Sequence, residues 1–305
     1  MTTPPALLIA GHGTRDEAGA EAFRDFVREL GRRHPELPVA GGFIELSPPP
    51  LGDAVAELVE RGVRRFAAVP LMLVSAGHAK GDIPAALSRE KERHPGISYT
   101  YGRPLGPHPA LLRVLERRLA EAVDPAWDPS EVTVLLVGRG STDPDANAEV
   151  FKAARLLWEG RGYAAVETAF VSLAQPDVPG GLDRCARLGA RRVVVLPYFL
   201  FTGILPDRVR HQTEEWAAAH PETEVRSADV IGPEPELLDL VWERYEEAVK
   251  GDLRMNCDSC VYRIALPGFE DKVGLPQQPH FHPDDDGDHH HGHHHGHGHA
   301  HSHAH

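Results

Sequence analysis

The stretch Ala6-Leu-Leu-Ile-Ala-Gly-His-Gly-Thr-Arg15 decides the fold. Leu7, Leu8 and Ile9 form a short unbroken apolar run, the pattern of a parallel strand covered on both faces. Gly11 and Gly13 then make a tight turn with His12 between them. From Glu17 to Arg33, Ala22, Phe23, Phe26, Val27 and Leu30 recur at helical spacing. Strand, glycine turn and helix in this order set His12 at the carboxyl end of a strand, where open α/β sheets bind ligands. A single histidine there reads equally as a turn residue or a helix cap. Its weight depends on what the neighbouring strand ends carry.

The same alternation continues. Val39 to Leu46 reads as a second strand, ended by Ser47-Pro-Pro-Pro50, and Leu51 to Arg61 as a helix. Phe66 to Val74 reads as a third strand, followed by the loop Gly77-His78-Ala-Lys80-Gly-Asp82. A helix from Ile83 to Arg93, a strand around Tyr99 to Tyr101 and a helix from Pro109 to Val123 complete the unit, the order of a doubly wound parallel sheet.

The unit then recurs. Gly62-Val-Arg-Arg-Phe-Ala-Ala-Val-Pro70 returns as Gly189-Ala-Arg-Arg-Val-Val-Val-Leu-Pro197, 127 positions on. The same shift carries Gly11-His-Gly13 onto Gly138-Arg-Gly140 and Phe43-Ile-Glu-Leu46 onto Phe170-Val-Ser-Leu173. A period this long marks a duplicated domain, since solenoid units span about 20–50 residues. The expected fold is α/β: two duplicated doubly wound parallel-sheet domains facing a central cleft, followed by a disordered His-rich tail. Residues 1–124 form the first half and 125–250 the second, joined by the linker Asp124-Pro-Ala-Trp-Asp-Pro-Ser130. A CxxC segment, 251–279, and the tail, 280–305, complete the division.

Composition narrows the function. A net charge of −13 without a compensating basic stripe argues against nucleic acid as a partner. No apolar run approaches the roughly 20 residues of a membrane helix, and no signal core is present. Three cysteines, two of them in one C-x-x-C, do not make a disulfide framework, and a reducing cytoplasm is the simplest setting.

Polar residues that differ between the two halves point to the chemistry. His12 becomes Arg139, Glu45 becomes Ser172, and His78 falls on Leu205. The first half therefore carries two histidines and a carboxylate at three strand ends, which a parallel sheet brings to one edge. Two imidazoles and a carboxylate suit a divalent first-row metal, and three unrelated turn residues are the plainer alternative. Arg15, Lys80, Arg139, Arg208 and Arg210 lie in loops expected to face the gap. Cations there, on an acidic protein, suggest a carboxylate-bearing substrate, the alternative being solvated surface charge.

Gly11-His-Gly-Thr-Arg15, Phe43-Ile-Glu45 and the Gly77-His78 loop resemble the class II chelatases that act on sirohydrochlorin. Pro197-Tyr-Phe-Leu-Phe-Thr-Gly-Ile-Leu-Pro-Asp-Arg208 is similar to the double-length members. Met255-Asn-Cys-Asp-Ser-Cys260-Val-Tyr-Arg263 and the histidine tail resemble the long CbiX form, so the likeness spans essentially the whole chain. The resemblance implies ATP-independent insertion of Co²⁺ into sirohydrochlorin, with His12 and His78 as metal ligands and Glu45 as the active-site acid. A ferrochelatase of the same class, and a cobalt- or nickel-binding storage or chaperone protein, are the competing readings. Metal loading is expected to fall as the imidazoles protonate near pH ~6.5. The oligomer, if there is one, is expected to be a homodimer.

Cys257 and Cys260 supply two thiolates, and resembling proteins carry an Fe–S cluster there. A four-iron cluster normally takes four cysteines, so bridging two chains, non-cysteine ligands, a zinc bridge or a redox pair are the other options. Cys185, in a helical segment, reads as a core residue. From His280 onward the chain holds 13 of its 20 histidines, interleaved with Gly, Ala, Ser and Asp. Such a tail has little to pack and should bind divalent metals with low selectivity, as a store or a feed to the cleft.

Overall fold

Residues 4–251, and beyond them 265, 267, 268 and 270–273, are described by a computed structural model of the chain. Cys257, Cys260 and the histidines from His280 lie outside the described residues.

The first half runs β1 (Ala6–Gly11), α1 (Glu17–Arg33), β2 (Val39–Phe43), α2 (Leu51–Glu60) and β3 (Arg65–Pro70). A π-helical turn (His78–Asp82) leads directly into α3 (Ile83–Arg93), then β4 (Ser98–Tyr101) and α4 (Pro109–Ala122). The second half runs β5 (Val132–Gly138), α5 (Pro144–Trp158), β6 (Ala165–Phe170) and α6 (Val178–Arg187). It closes with β7 (Arg192–Pro197), α7 (Ile204–Ala219), β8 (Glu224–Ser227) and α8 (Pro235–Lys250). Both sheets are wholly parallel, in the orders β2-β1-β3-β4 and β6-β5-β7-β8. The expected pair of doubly wound domains is thus the observed architecture. Reversal of strand order falls between β1 and β3 in the first sheet, and a crevice opens there at the carboxyl ends.

Two elements are shorter than the apolar pattern suggests. β2 ends at Phe43 and not Leu46, because Ile44 to Ser47 turn back against the β1 loop; Ile44 and Glu45 donate backbone hydrogen bonds to Gly11 and His12. β3 ends at Pro70, and the apolar residues Leu71 to Val74 line a cavity instead of extending the sheet.

Each sheet buries one face under its own helices. Leu8, Ala10, Val55, Phe66, Ile83 and Leu87 form that layer in the first half, and Leu135, Val137, Leu182, Val195 and Trp216 in the second. The remaining faces share a single core, in which Leu7, Ile9 and Phe26 join Val134, Leu136, Val194, Leu237 and Tyr245. The closing helices produce this by exchange: α8 lies against β3 and β4, while α4 lies against β7. The linker belongs to the same core through Trp127, 7% exposed, with Arg192 and Arg226 over its ring.

Arg244 of α8 anchors the exchange. Its side chain is fully buried and donates to the carbonyls of Pro104 and Leu105 and to the Glu247 carboxylate, which also pairs with Arg103. Removing one partner of a buried charge network strands the other. Arg244→Ala is expected to lower unfolding stability by about 3–5 kcal/mol, measured by chemical denaturation.

Candidate functional site

Between the halves lies a cleft with a cavity volume of about 600 Å³, well within the roughly 300–1,000 Å³ of ordinary ligand pockets. Its lining repeats the duplication. Gly11, His12 and Gly13 face it from one half and Gly138, Arg139 and Gly140 from the other; Leu71 to Val74 are matched by Tyr198 to Phe201. Where the first half presents Gly77 and His78, the second presents Ile204 and Leu205. At this one position the imidazole of the first half is replaced by aliphatic side chains in the second, while both halves contribute polar and apolar residues to the rest of the lining.

His12, Glu45 and His78 converge in the first half. One ligand-capable atom from each lies within 4.8 Å of the others. His12 Nε2 stands 3.4 Å from Glu45 Oε1, and the two imidazoles meet edge to face with centroids 4.2 Å apart. Strand register explains the meeting: Gly11 of β1 pairs with Phe43 of β2, so the residues just beyond them are neighbours, and β3 flanks β1 on its other side.

Gly13 makes the approach possible. It has a φ of +103°, and a Cβ there would lie 1.8 Å from the Glu45 carbonyl oxygen; Gly140 and Ser172 repeat the geometry. Gly13→Ala must push the two loops apart. We expect it to cost at least ~2 kcal/mol of stability and to disperse the triad, read as loss of metal binding at the cleft.

In each imidazole Nδ1 is engaged by an oxygen, which leaves Nε2 as the nitrogen for a ligand. His12 Nδ1 is 3.0 Å from the Gly13 carbonyl, which as an acceptor favours a proton on Nδ1 and a lone pair on Nε2. His78 Nδ1 is 2.7 Å from Asp82 Oδ2 at the other end of the π-helical turn. Carboxylate support of this kind fixes the tautomer and ring orientation of a metal-binding histidine. Asp82 is a site residue beyond those the sequence singles out; its signal is the His-x-x-x-Asp spacing, four residues apart on one helical face.

Burial holds the His12 imidazole below its ordinary pKa, although the Gly13 carbonyl opposes the shift. The Arg139 guanidinium and His78 lower it further, and Glu45 works in the other direction. Protonation of His12 thus belongs at a lower pH than the ~6.5 expected of a free imidazole.

The cations divide. Arg139 Nη1 lies 3.2 Å from His12 Nε2, placing a guanidinium on the atom that a metal would take. Arg15 lines the cleft as well. Lys80 does not; its ammonium bridges the halves to Asp143 at 2.7 Å and Asp145 at 2.9 Å, so the expected substrate cation is instead an interdomain tie. Arg208 is exposed on α7 outside the lining, and Arg210 pairs with Asp207 at 2.8 Å. Arg208 and Arg210, expected in a loop facing the gap, are residues of α7 outside the lining, and Lys80 belongs to the π-helical turn; neighbouring carboxylates and helix direction set where these cations lie. Cys185 is buried, its thiol pushed up to about 12 by burial, which suits a core residue and not a thiolate ligand.

Fold and site together define a two-lobed parallel α/β protein with an imidazole–carboxylate triad at one side of its cleft. The sequence profile of the CbiX family matches residues 6–122 and again 133–248, and the chain belongs to that family. It is 39% identical over 265 residues to the sirohydrochlorin cobaltochelatase of Priestia megaterium, covering 86% of this chain and 85% of that protein. The sirohydrochlorin ferrochelatase of the same organism is 36% identical over 213 residues, 69% of this chain and 78% of its own. Among solved structures, SirB from Bacillus subtilis with Fe³⁺ superposes with a TM-score of 0.70 at 27% identity, covering 82% of this chain and 98% of that one.

Proposed function

We propose that the chain is a chelatase that inserts Co²⁺ into sirohydrochlorin without ATP. The observation that carries the reading is the triad of His12, Glu45 and His78 at a cleft that both halves line with apolar side chains, Leu71 to Val74 and Tyr198 to Phe201. A planar macrocycle suits such a space, with its faces against carbon and its centre over the metal.

Co²⁺ is the substrate ion here. The Nε2 atoms of His12 and His78, with Glu45, hold it; neutral imidazoles bind a divalent ion and release it to a stronger tetradentate ligand. Entry exchanges one cation for another at His12, since Arg139 must leave Nε2 before the metal reaches it. Its guanidinium, with Arg15, is then free to meet the carboxylates of the macrocycle. Two pyrrole N–H protons leave as the metal–nitrogen bonds form. Glu45, whose side chain is 46% exposed, accepts the two protons in turn and passes each to water before taking the next.

Fe²⁺ is the second reading, favoured by a ferrochelatase relative at nearly the same identity as the cobaltochelatase. The test is anaerobic mixing of the protein with sirohydrochlorin and Co²⁺, and with Fe²⁺ in parallel, following macrocycle absorbance. Enhancement over the uncatalysed rate supports insertion and ranks the metals. Tight metal binding with no enhancement by either ion overturns the enzyme reading in favour of storage or delivery.

A further inference from the structure

We infer that Leu46 and Leu173 are positioning residues that grip the macrocycle, one from each half of the cleft. The inference rests on the substrate reading above and names the side chains that set where the ring lies.

Both leucines occupy the left-handed region, with φ of +65° and +60°. In each case the flanking residues close an i→i+2 hydrogen bond at 2.8 Å: Ser47 N–H to the Glu45 carbonyl, and Ala174 N–H to that of Ser172. This is the rarer and strained form of γ-turn. Glycine would adopt it without strain, yet leucine stands there in both halves. The polar residues of the two halves have diverged at every position of the triad, while this strained leucine is present in both copies.

Packing does not account for the side chains. Leu46 is 51% exposed and Leu173 62%, and both line the cleft. Ile204, 51% exposed, lines the cleft from the same half as Leu173. Strain retained at a half-exposed apolar residue in a binding cleft points to a role in holding a ligand. An aliphatic side chain at the apex of a tight turn offers a rigid contact for the face or edge of a conjugated ring. Leu46 also follows Glu45 directly, and the Glu45 carbonyl closes the turn, so one stretch of backbone presents the leucine and carries the carboxylate of the triad.

Glycine substitution separates this role from a structural one, because it keeps the turn and removes only the side chain. In Leu173→Gly and Leu46→Gly, the sirohydrochlorin Kd from titration of the full chain, and the KM, are expected to rise about fivefold to tenfold, and more in the double variant. The thermal midpoint should not fall, and Leu173→Met should retain parental affinity. Unchanged macrocycle affinity in the glycine variants, beside a parent that binds, overturns this inference alone. A parent that does not bind sirohydrochlorin overturns the substrate reading and this inference with it.

Discussion

His12→Ala and His78→Ala should each weaken Co²⁺ binding at the cleft by ~100-fold or more and abolish insertion. Loss of a residue that merely orients a metal-binding histidine costs roughly 10–100-fold, so loss of the ligand itself lies at or beyond the top of that range. With only three candidate ligands gathered within 4.8 Å, neither histidine has a substitute among the described residues. Asp82→Asn, which leaves the His78 ligand atom in place but removes its charged support at 2.7 Å, should cost about 10-fold. The measurement is Co²⁺ titration of a chain truncated after Gly274, so that the tail imidazoles do not mask the cleft, alongside turnover of the full chain. Metal binding that survives loss of both histidines but disappears on truncation would place the metal on the tail. The same titration over pH tests the His12 environment. Since His12 is held below the ordinary imidazole value, its contribution to affinity is complete above pH ~6.5 and is lost only as pH falls through the lowered value.

Glu45→Gln should lower turnover by about 10²–10⁴-fold, the usual contribution of a positioned proton acceptor. The amide keeps the shape and one oxygen but can no longer take a proton, whereas Co²⁺ affinity should fall much less than in the histidine variants. Exposure favours this division of labour: the Glu45 side chain is 46% exposed, against 26% for His12 and 27% for His78, and so has the readiest exchange with solvent. Turnover at the parental rate would remove Glu45 from the proton step. A Co²⁺ affinity loss equal to that of His12→Ala would make it chiefly a ligand.

The architecture and the candidate triad were legible in the sequence because both depend on short-range pattern. Apolar runs and helical spacing mark which residues a strand or helix buries within one element, and a parallel sheet brings consecutive strand ends to one edge. Given the 127-residue repeat, the divergence of His12, Glu45 and His78 from Arg139, Ser172 and Leu205 was enough to single out one edge of one half.

Tertiary structure alone decided how the halves and their charges meet. Exchange of α4 and α8 between the sheets, sealed by Arg244, joins residues some 140 positions apart, a contact that no local periodicity encodes. Lys80 and Arg139 look alike in sequence as loop cations. Only the folded chain sets Lys80 between two aspartates of the opposite half and Arg139 on the ligand atom of His12. The γ-turns at Leu46 and Leu173 were hidden for a related reason: leucine after a strand reads as one more strand residue. It is the closing hydrogen bonds at Ser47 and Ala174 that turn these side chains out of the sheet and into the cleft.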